Sequence, residues 1–230
     1  MRSAHVHAVR SETAAPYAPQ TAPPAGDPLA RLERAGPRAL EDHELLALVG
    51  VGVDAATLAA AGGLRGLLDD PDGSPRNFLL AREARARVHA LLDLNLRWME
   101  AHLRRDGPLT TPEETRRYLT ARLRAHPYEV FACLFLDNRH RVIAFEALFR
   151  GTVDGTSVHP REVVRCALRH NAQAVIFAHN HPSGEPEPSH ADRILTGRLV
   201  AALSMVEVQV LDHLVVGDGA CVSFSERGLL

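Results

Sequence analysis

Side chains suited to chemistry are concentrated in one stretch, Phe177-Ala178-His179-Asn180-His181-Pro182-Ser183-Gly184-Glu185-Pro186-Glu187-Pro188-Ser189-His190-Ala191-Asp192. It begins with His-x-His at the end of an apolar run that reads as a strand. Residues i and i+2 of a strand face the same way, so His179 and His181 can converge on one metal ion. Three prolines and a glycine then forbid regular structure and turn the chain back. Ser189 is a natural helix N-cap, and Asp192, three residues on, falls on the first helical turn. A carboxylate there can reach back toward the start of the loop as a third ligand. Two histidines and one carboxylate leave a position for water, the pattern of a catalytic zinc, whereas structural zinc is usually closed by four protein ligands. Zinc lowers the pKa of bound water to about 7. A general base must still carry the proton to a leaving amine. Glu129, at the start of the first strand of this half, is the candidate. Ser189-x-x-Asp192 is also a capping arrangement that needs no metal, so the spacing leaves both readings open.

These residues need a frame, and the periodicity supplies one. Thr111-Pro112-Glu113-Glu114 reads as a capping box that opens a helix to about Ala125. Val130–Leu136 and Arg141–Phe149 read as a hairpin around Asp137-Asn138-Arg139-His140. His159-Pro160 opens a helix through His170, with His159 as its cap and Asn171 as a left-handed stop. Ala174–Ala178 is a short buried strand, Ser189–Met205 a helix, and Val206–Val216 and Ala220–Phe224 further strands. Residues 107–230 therefore form an α/β (α+β) domain. Within it, His213 reads as a hydrogen-bonded structural residue of the sheet, with a contact to the candidate metal site as the alternative.

The N-terminal half is of another kind. Residues 1–26 are rich in Ala and Pro without hydrophobic periodicity, as in a disordered tail. Residues 27–106 read as a small all-helical domain. Asp27-Pro28 starts a helix and Gly36-Pro37 stops it. Glu44–Val49 is a second, Leu58–Leu68 is broken at Gly62-Gly63, and Leu79–Leu103 is the longest. That last segment and its flanks are basic, with Arg76, Arg82, Arg85, Arg87, Arg97, Arg104 and Arg105, which suits either a solvated face or phosphate contacts. Asp106-Gly107-Pro108 marks the boundary.

Composition narrows the function classes. The 230 residues carry 26 basic and 28 acidic side chains, a formal net charge of -2, which excludes holding nucleic acid by bulk charge. Every basic residue is arginine. Without lysine there is no Schiff-base chemistry and no Walker P-loop. Cys133, Cys166 and Cys221 form neither a disulfide framework nor a CxxC site, as expected of a reducing cytoplasm. No apolar run reaches the length of a transmembrane helix, and no secretory signal opens the chain.

The pattern H-x-H-x7-S-x2-D with an upstream Glu resembles the JAMM (MPN+) metalloprotease signature. Finer blocks resemble the RadC family within that superfamily: His179-Asn180-His181-Pro182-Ser183-Gly184, Phe149-Arg150-Gly151-Thr152, Val158-His159-Pro160-Arg161-Glu162-Val163 and Leu211-Asp212-His213-Leu214-Val215-Val216-Gly217. The resemblance implies a cytidine-deaminase-like α/β/α sandwich JAMM/MPN domain preceded by a small helical domain. It implies Zn2+ held by His179, His181 and Asp192, with Glu129 as general acid/base and Ser189 stabilising the oxyanion. The implied activity is hydrolysis of a peptide or isopeptide bond in a protein or peptide partner. The alternatives are a DNA-repair accessory that binds nucleic acid, or a metal-bound interaction module without turnover. Pro28-Leu29-Ala30-Arg31-Leu32 and Leu40-Glu41-Asp42-His43-Glu44-Leu45-Leu46-Ala47-Leu48 extend the resemblance into the N-terminal half. Family members carry a helix-hairpin-helix there, whose Gly-hydrophobic-Gly turn presents backbone N–H groups to DNA phosphate. The corresponding stretch, Ser74 to Glu83, has no Gly-x-Gly, so its backbone cannot approach a phosphate as closely. Gly50-Val51-Gly52 follows an earlier helix. The degenerate turn argues against DNA as a partner.

Overall fold

A computed structural model describes residues 26–68, 80–103, 111–151 and 158–230. The expected tail up to residue 25, residues 74–79 of the degenerate turn and the boundary at Asp106-Gly107-Pro108 lie outside them.

The C-terminal part is a three-layer sandwich on a five-stranded sheet of order β2-β1-β3-β4-β5. Its strands are β1 (Val130–Leu136), β2 (Val142–Arg150), β3 (Ala174–Asn180), β4 (Gln209–Val216) and β5 (Cys221–Ser223). Only β3 and β4 pair in parallel. The expected β1–β2 hairpin forms, and Asp137 locks its turn by accepting from the Arg139 and Arg141 N–H groups at 2.8 and 2.9 Å. The two-residue period of β1 and β3 divides the core. Val130, Ala132, Leu134, Ile176 and Ala178 face α6 (Pro112–Leu123), packing on its Tyr118, Leu119 and Leu123. Phe131, Cys133, Phe135, Val175 and Phe177 face α7 (Pro160–Arg169) and α8 (His190–Ser204). The buried side chains of α8 are Asp192, Thr196, Leu199 and Leu203, one stripe that is apolar at its far end and polar where the helix begins.

Four short helices precede the sandwich: α1 (Pro28–Ala35), α2 (Asp42–Leu48), α3 (Ala55–Ala60) and α4 (Gly63–Leu68). Asp27 caps α1 by accepting from the Leu29 N–H. The break expected at Gly62-Gly63 separates α3 from α4, and both glycines have positive φ. α5 (Arg82–Leu103) serves two cores. Its Ala84 and Val88 pack with Leu46, Leu58 and Leu67, while Met99 and Leu103 pack on the α6 side of the sheet. Among its arginines, Arg87 donates to the Gly50 carbonyl and Arg97 pairs with Asp93 at 2.6 Å.

Some local expectations differ from the structure. Thr111 makes no side-chain cap bond, so no capping box opens α6; Pro112 and the acidic first turn begin the helix instead. His159 occupies the cap position of α7 without capping it, and its ring lies against Phe149. Asn171 is the left-handed stop expected, at φ 50°. Among the described residues, no helix is long and apolar enough to cross a membrane.

Candidate metal centre

β3 carries His179, and His181 follows the strand directly. The His181 N–H donates to the Val216 carbonyl at 2.9 Å, so pairing with β4 continues past the end of β3. Both imidazoles therefore face α8, as the His-x-His spacing requires. α8 begins so that Asp192 points back at them. The His179 and His181 Nε2 atoms are 3.0 Å apart. Asp192 Oδ1 lies 3.4 Å from His179 Nε2 and Oδ2 lies 3.5 Å from His181 Nε2.

This geometry fits a zinc ion. Two ligands each about 2.05 Å from one tetrahedral zinc lie about 3.3 Å apart, and the three separations bracket that value. The donor chemistry agrees. His181 Nδ1 lies 2.7 Å from the Glu185 carbonyl, which can only accept. Its proton is therefore on Nδ1, and in the neutral ring the Nε2 lone pair faces His179 and Asp192. Two ring nitrogens 3.0 Å apart beside a carboxylate need a shared cation, either a proton or a metal. Among the described residues, no other group of His, Cys, Asp and Glu converges in this way. The His179 side chain is 1% exposed and that of His181 18%, so solvent reaches the cluster from the His181 side.

The loop from His181 to Asp192 is held by contact rather than by regular structure. Gly184 has φ 85°, and a Cβ there would lie 2.9 Å from Cβ of Asp218. A Cβ on Gly217 would come within 2.5 Å of the Gly184 oxygen and 2.8 Å of Pro186. The two glycines thus let the loop lie directly on the β4–β5 turn, where the Asp218 N–H donates to the Gly184 carbonyl at 2.7 Å.

At Ser189 the two readings of the spacing coincide. Its hydroxyl accepts from the Asp192 N–H at 3.1 Å and donates to Asp192 Oδ2 at 2.5 Å, while the Ser189 N–H donates to the same oxygen at 2.7 Å. One carboxylate both closes the capping box and faces the histidines. Burial opposes its ionisation, yet the neighbouring His179 and His181 imidazoles and the Ser189 hydroxyl hold it well below the usual carboxylate range. The hydrogen bond to Asp192 raises the His181 pKa against the effect of burial, helped by the Glu185 carbonyl and the charges of Asp192 and Glu129.

Glu129 precedes β1. Phe131 pairs with His179 at the end of the antiparallel register, and Glu129, two residues before Phe131, lies near enough for its charge to act on His181.

Of two further groups beside these residues, Asn180 escaped the sequence reading. Asn180, 1% exposed, points to the other face. Its Oδ1 accepts from the Val130 N–H at 2.8 Å, and its Nδ2 donates to the carbonyls of His126 and Tyr128 at 3.2 and 3.0 Å. It thereby ties down the backbone on both sides of Glu129. The signal available was a polar residue inside a buried strand, which must find partners. His213, expected as a hydrogen-bonded structural residue with contact to the metal site as the alternative, lies with its Nε2 2.8 Å from His179 Nδ1. Burial pushes its pKa well below the usual imidazole value, and the charge of His179 acts in the same direction. Its position in the parallel register, beside Phe177, could not be read from local spacing.

A family model described as RadC-like JAB domain matches residues 109–229. A UPF0758 protein of Nitrosococcus oceani is 53% identical over 216 residues, covering 88% of this chain and 95% of the relative. Another from Thioalkalivibrio sulfidiphilus is 54% identical over 215 residues with the same coverage. One from Azotobacter vinelandii is 50% identical over 218 residues, covering 90% of this chain and 97% of the relative.

Proposed function

Because the chain belongs to the RadC family, whose members carry the RadC-like JAB domain, we propose that it is a zinc-dependent hydrolase of the JAMM type that cleaves a peptide or isopeptide bond. The observation that carries this reading is the spacing of the His179, His181 and Asp192 donor atoms, which suits one tetrahedral ion. Zinc held by these three side chains would supply a Lewis acid and make water nucleophilic near neutral pH.

The remaining steps belong to the protein. Glu129, near His181, takes a proton from the water as its oxygen attacks the carbonyl carbon. The Ser189 hydroxyl, on leaving Asp192, donates to the tetrahedral oxyanion. Glu129 then returns the proton to the amine nitrogen as the C–N bond breaks, leaving a carboxylic acid and an amine. The chain contains no lysine. If the bond is an isopeptide, its lysine comes from another chain.

A nucleic-acid role would fall to the α5 arginines Arg82, Arg85, Arg87 and Arg97, of which Arg87 and Arg97 have partners within the chain, whereas His179, His181 and Asp192 converge as a metal site requires. The metal reading is therefore the one put to test. Purified protein should retain about one zinc per chain after dialysis. Glu129→Gln should keep that zinc while losing cleavage of a fluorogenic peptide and isopeptide library. Protein that binds no zinc, or a Glu129→Gln variant with full turnover, would overturn the assignment.

A further inference from the structure

We propose that Thr196 and His213 are positioning residues that fix the tautomer of His179, so that its Nε2 is free to bind metal. The proposal rests on the metal reading above and deepens it. One buried chain of groups sets the proton positions.

The Thr196 Oγ1 lies 2.6 Å from the Asp192 carbonyl and 2.7 Å from His213 Nδ1. The carbonyl can only accept, so the single hydroxyl proton goes to it. The hydroxyl oxygen is then left to accept from His213, which places the His213 proton on Nδ1. His213 is 0% exposed. Its ring lies among Phe131, Phe177 and Phe224. A charged imidazolium is costly there, so the ring is neutral and its Nε2 carries a lone pair. That lone pair lies 2.8 Å from His179 Nδ1. His179 must therefore donate from Nδ1, and its Nε2 presents a lone pair to Asp192 and His181.

The direction of this relay is set at one end by a backbone carbonyl of α8, the helix that also carries Asp192. His181 reaches the same state in one step through the Glu185 carbonyl. Both ligands are thus prepared by acceptors on their Nδ1 side, one local and one transmitted through the sheet and α8. Such outer hydrogen bonds orient metal-bound histidines, and losing them commonly costs about 10–100-fold in metal affinity.

Thr196→Val keeps the shape and removes the acceptor. His213 Nδ1–H would then be unsatisfied, and its proton would move to Nε2, where it would donate to His179 and drive that ring's proton to the metal-facing nitrogen. The test is zinc competition against a chromophoric chelator, together with long-range 1H–15N correlation of the metal-free full chain. Thr196→Val and His213→Leu should bind zinc about 10–100-fold more weakly. Thr196→Ser and His213→Gln, which keep the donor and acceptor pattern, should recover to within a few-fold of the parent. The spectra should show His213 protonated on Nδ1 in the parent and on Nε2 in Thr196→Val. Parent-like zinc affinity in a folded Thr196→Val variant, or an Nε2 proton on His213 of the parent, would overturn the proposal. If the parent binds no zinc the hydrolase reading falls, while the His213 tautomer still decides the relay.

Discussion

In the sandwich, β1 and β3 are buried over all seven of their residues. In the N-terminal part, α1, α2, α3 and α4 each bury a single side chain: Arg31, Leu46, Leu58 and Leu67. The first region has a dry wall on which polar groups can be fixed in orientation and proton position. The second is shaped mainly by glycine turns and caps, with apolar contacts closing it. The difference suits the proposed chemistry to the sandwich. A ligand whose tautomer matters needs neighbours that exclude water and cannot rearrange, and strands supply them better than helices of six to eight residues.

The largest test of that contrast is removal of a ligand. Asp192→Ala should take zinc content from about one per chain to near none, with a further stability loss of about 1 kcal/mol from the broken cap. Metal analysis and thermal melts read the two effects separately. Next is Phe177→Ala, at a side chain that is 0% exposed and 5.4 Å from the Phe131 ring. It should cost about 3–5 kcal/mol in chemical denaturation and weaken zinc binding as well, because His213 packs on the same ring. Leu58→Ala, in the smaller core, should cost about 2–3 kcal/mol and leave zinc affinity unchanged. A Leu58→Ala variant that releases zinc would show that the helices belong to the frame of the metal centre. Acid should act through His181. Metal needs the neutral ring, and its raised pKa makes proton competition begin at higher pH than for an ordinary imidazole. Asp192, held well below the carboxylate range, stays ionised throughout. Zinc affinity measured against pH should therefore be flat at alkaline pH and fall about tenfold per unit once His181 titrates. A curve flat down to pH 5 would remove His181 from the ligand set.

How much could be read beforehand follows the same division. The apolar run of β1 is unambiguous, and its bounds, Val130–Leu136, are those expected. β3 runs two residues past its apolar run because His179 and Asn180 find buried partners 34 and 50 residues away, at His213 and Val130. No local pattern announces such pairings. The convergence of His179, His181 and Asp192 was legible because strand parity and a helix cap are local rules. Asn180, Thr196 and the direction of the relay were not, since they depend on register between strands and on which face of α8 turns inward. β4 begins at Gln209, later than the apolar pattern suggests, because Glu207 takes φ 58° in the preceding turn.

The smallest effect is the most searching test of the contrast. Arg65 of α4 forms an ion pair with Asp218, on the turn whose N–H holds the Gly184 carbonyl of the ligand loop. The chain of contacts from helical core to His181 is short: Arg65, Asp218, Gly184, then the Glu185 carbonyl that orients the ring. The pair is exposed, 56% and 39% at its two side chains. In water such a pair contributes at most about 1 kcal/mol and weakens with salt. The loop has its own support in the backbone bond from Asp218 and the close approach of Gly217 to Pro186, neither of which needs a guanidinium. Arg65→Ala should therefore change stability by less than about 1 kcal/mol and zinc affinity by no more than about threefold, a difference that vanishes in high salt. A tenfold loss of zinc affinity that persists in salt would mean that the helices set the loop. The ligand geometry would then be a property of both cores together.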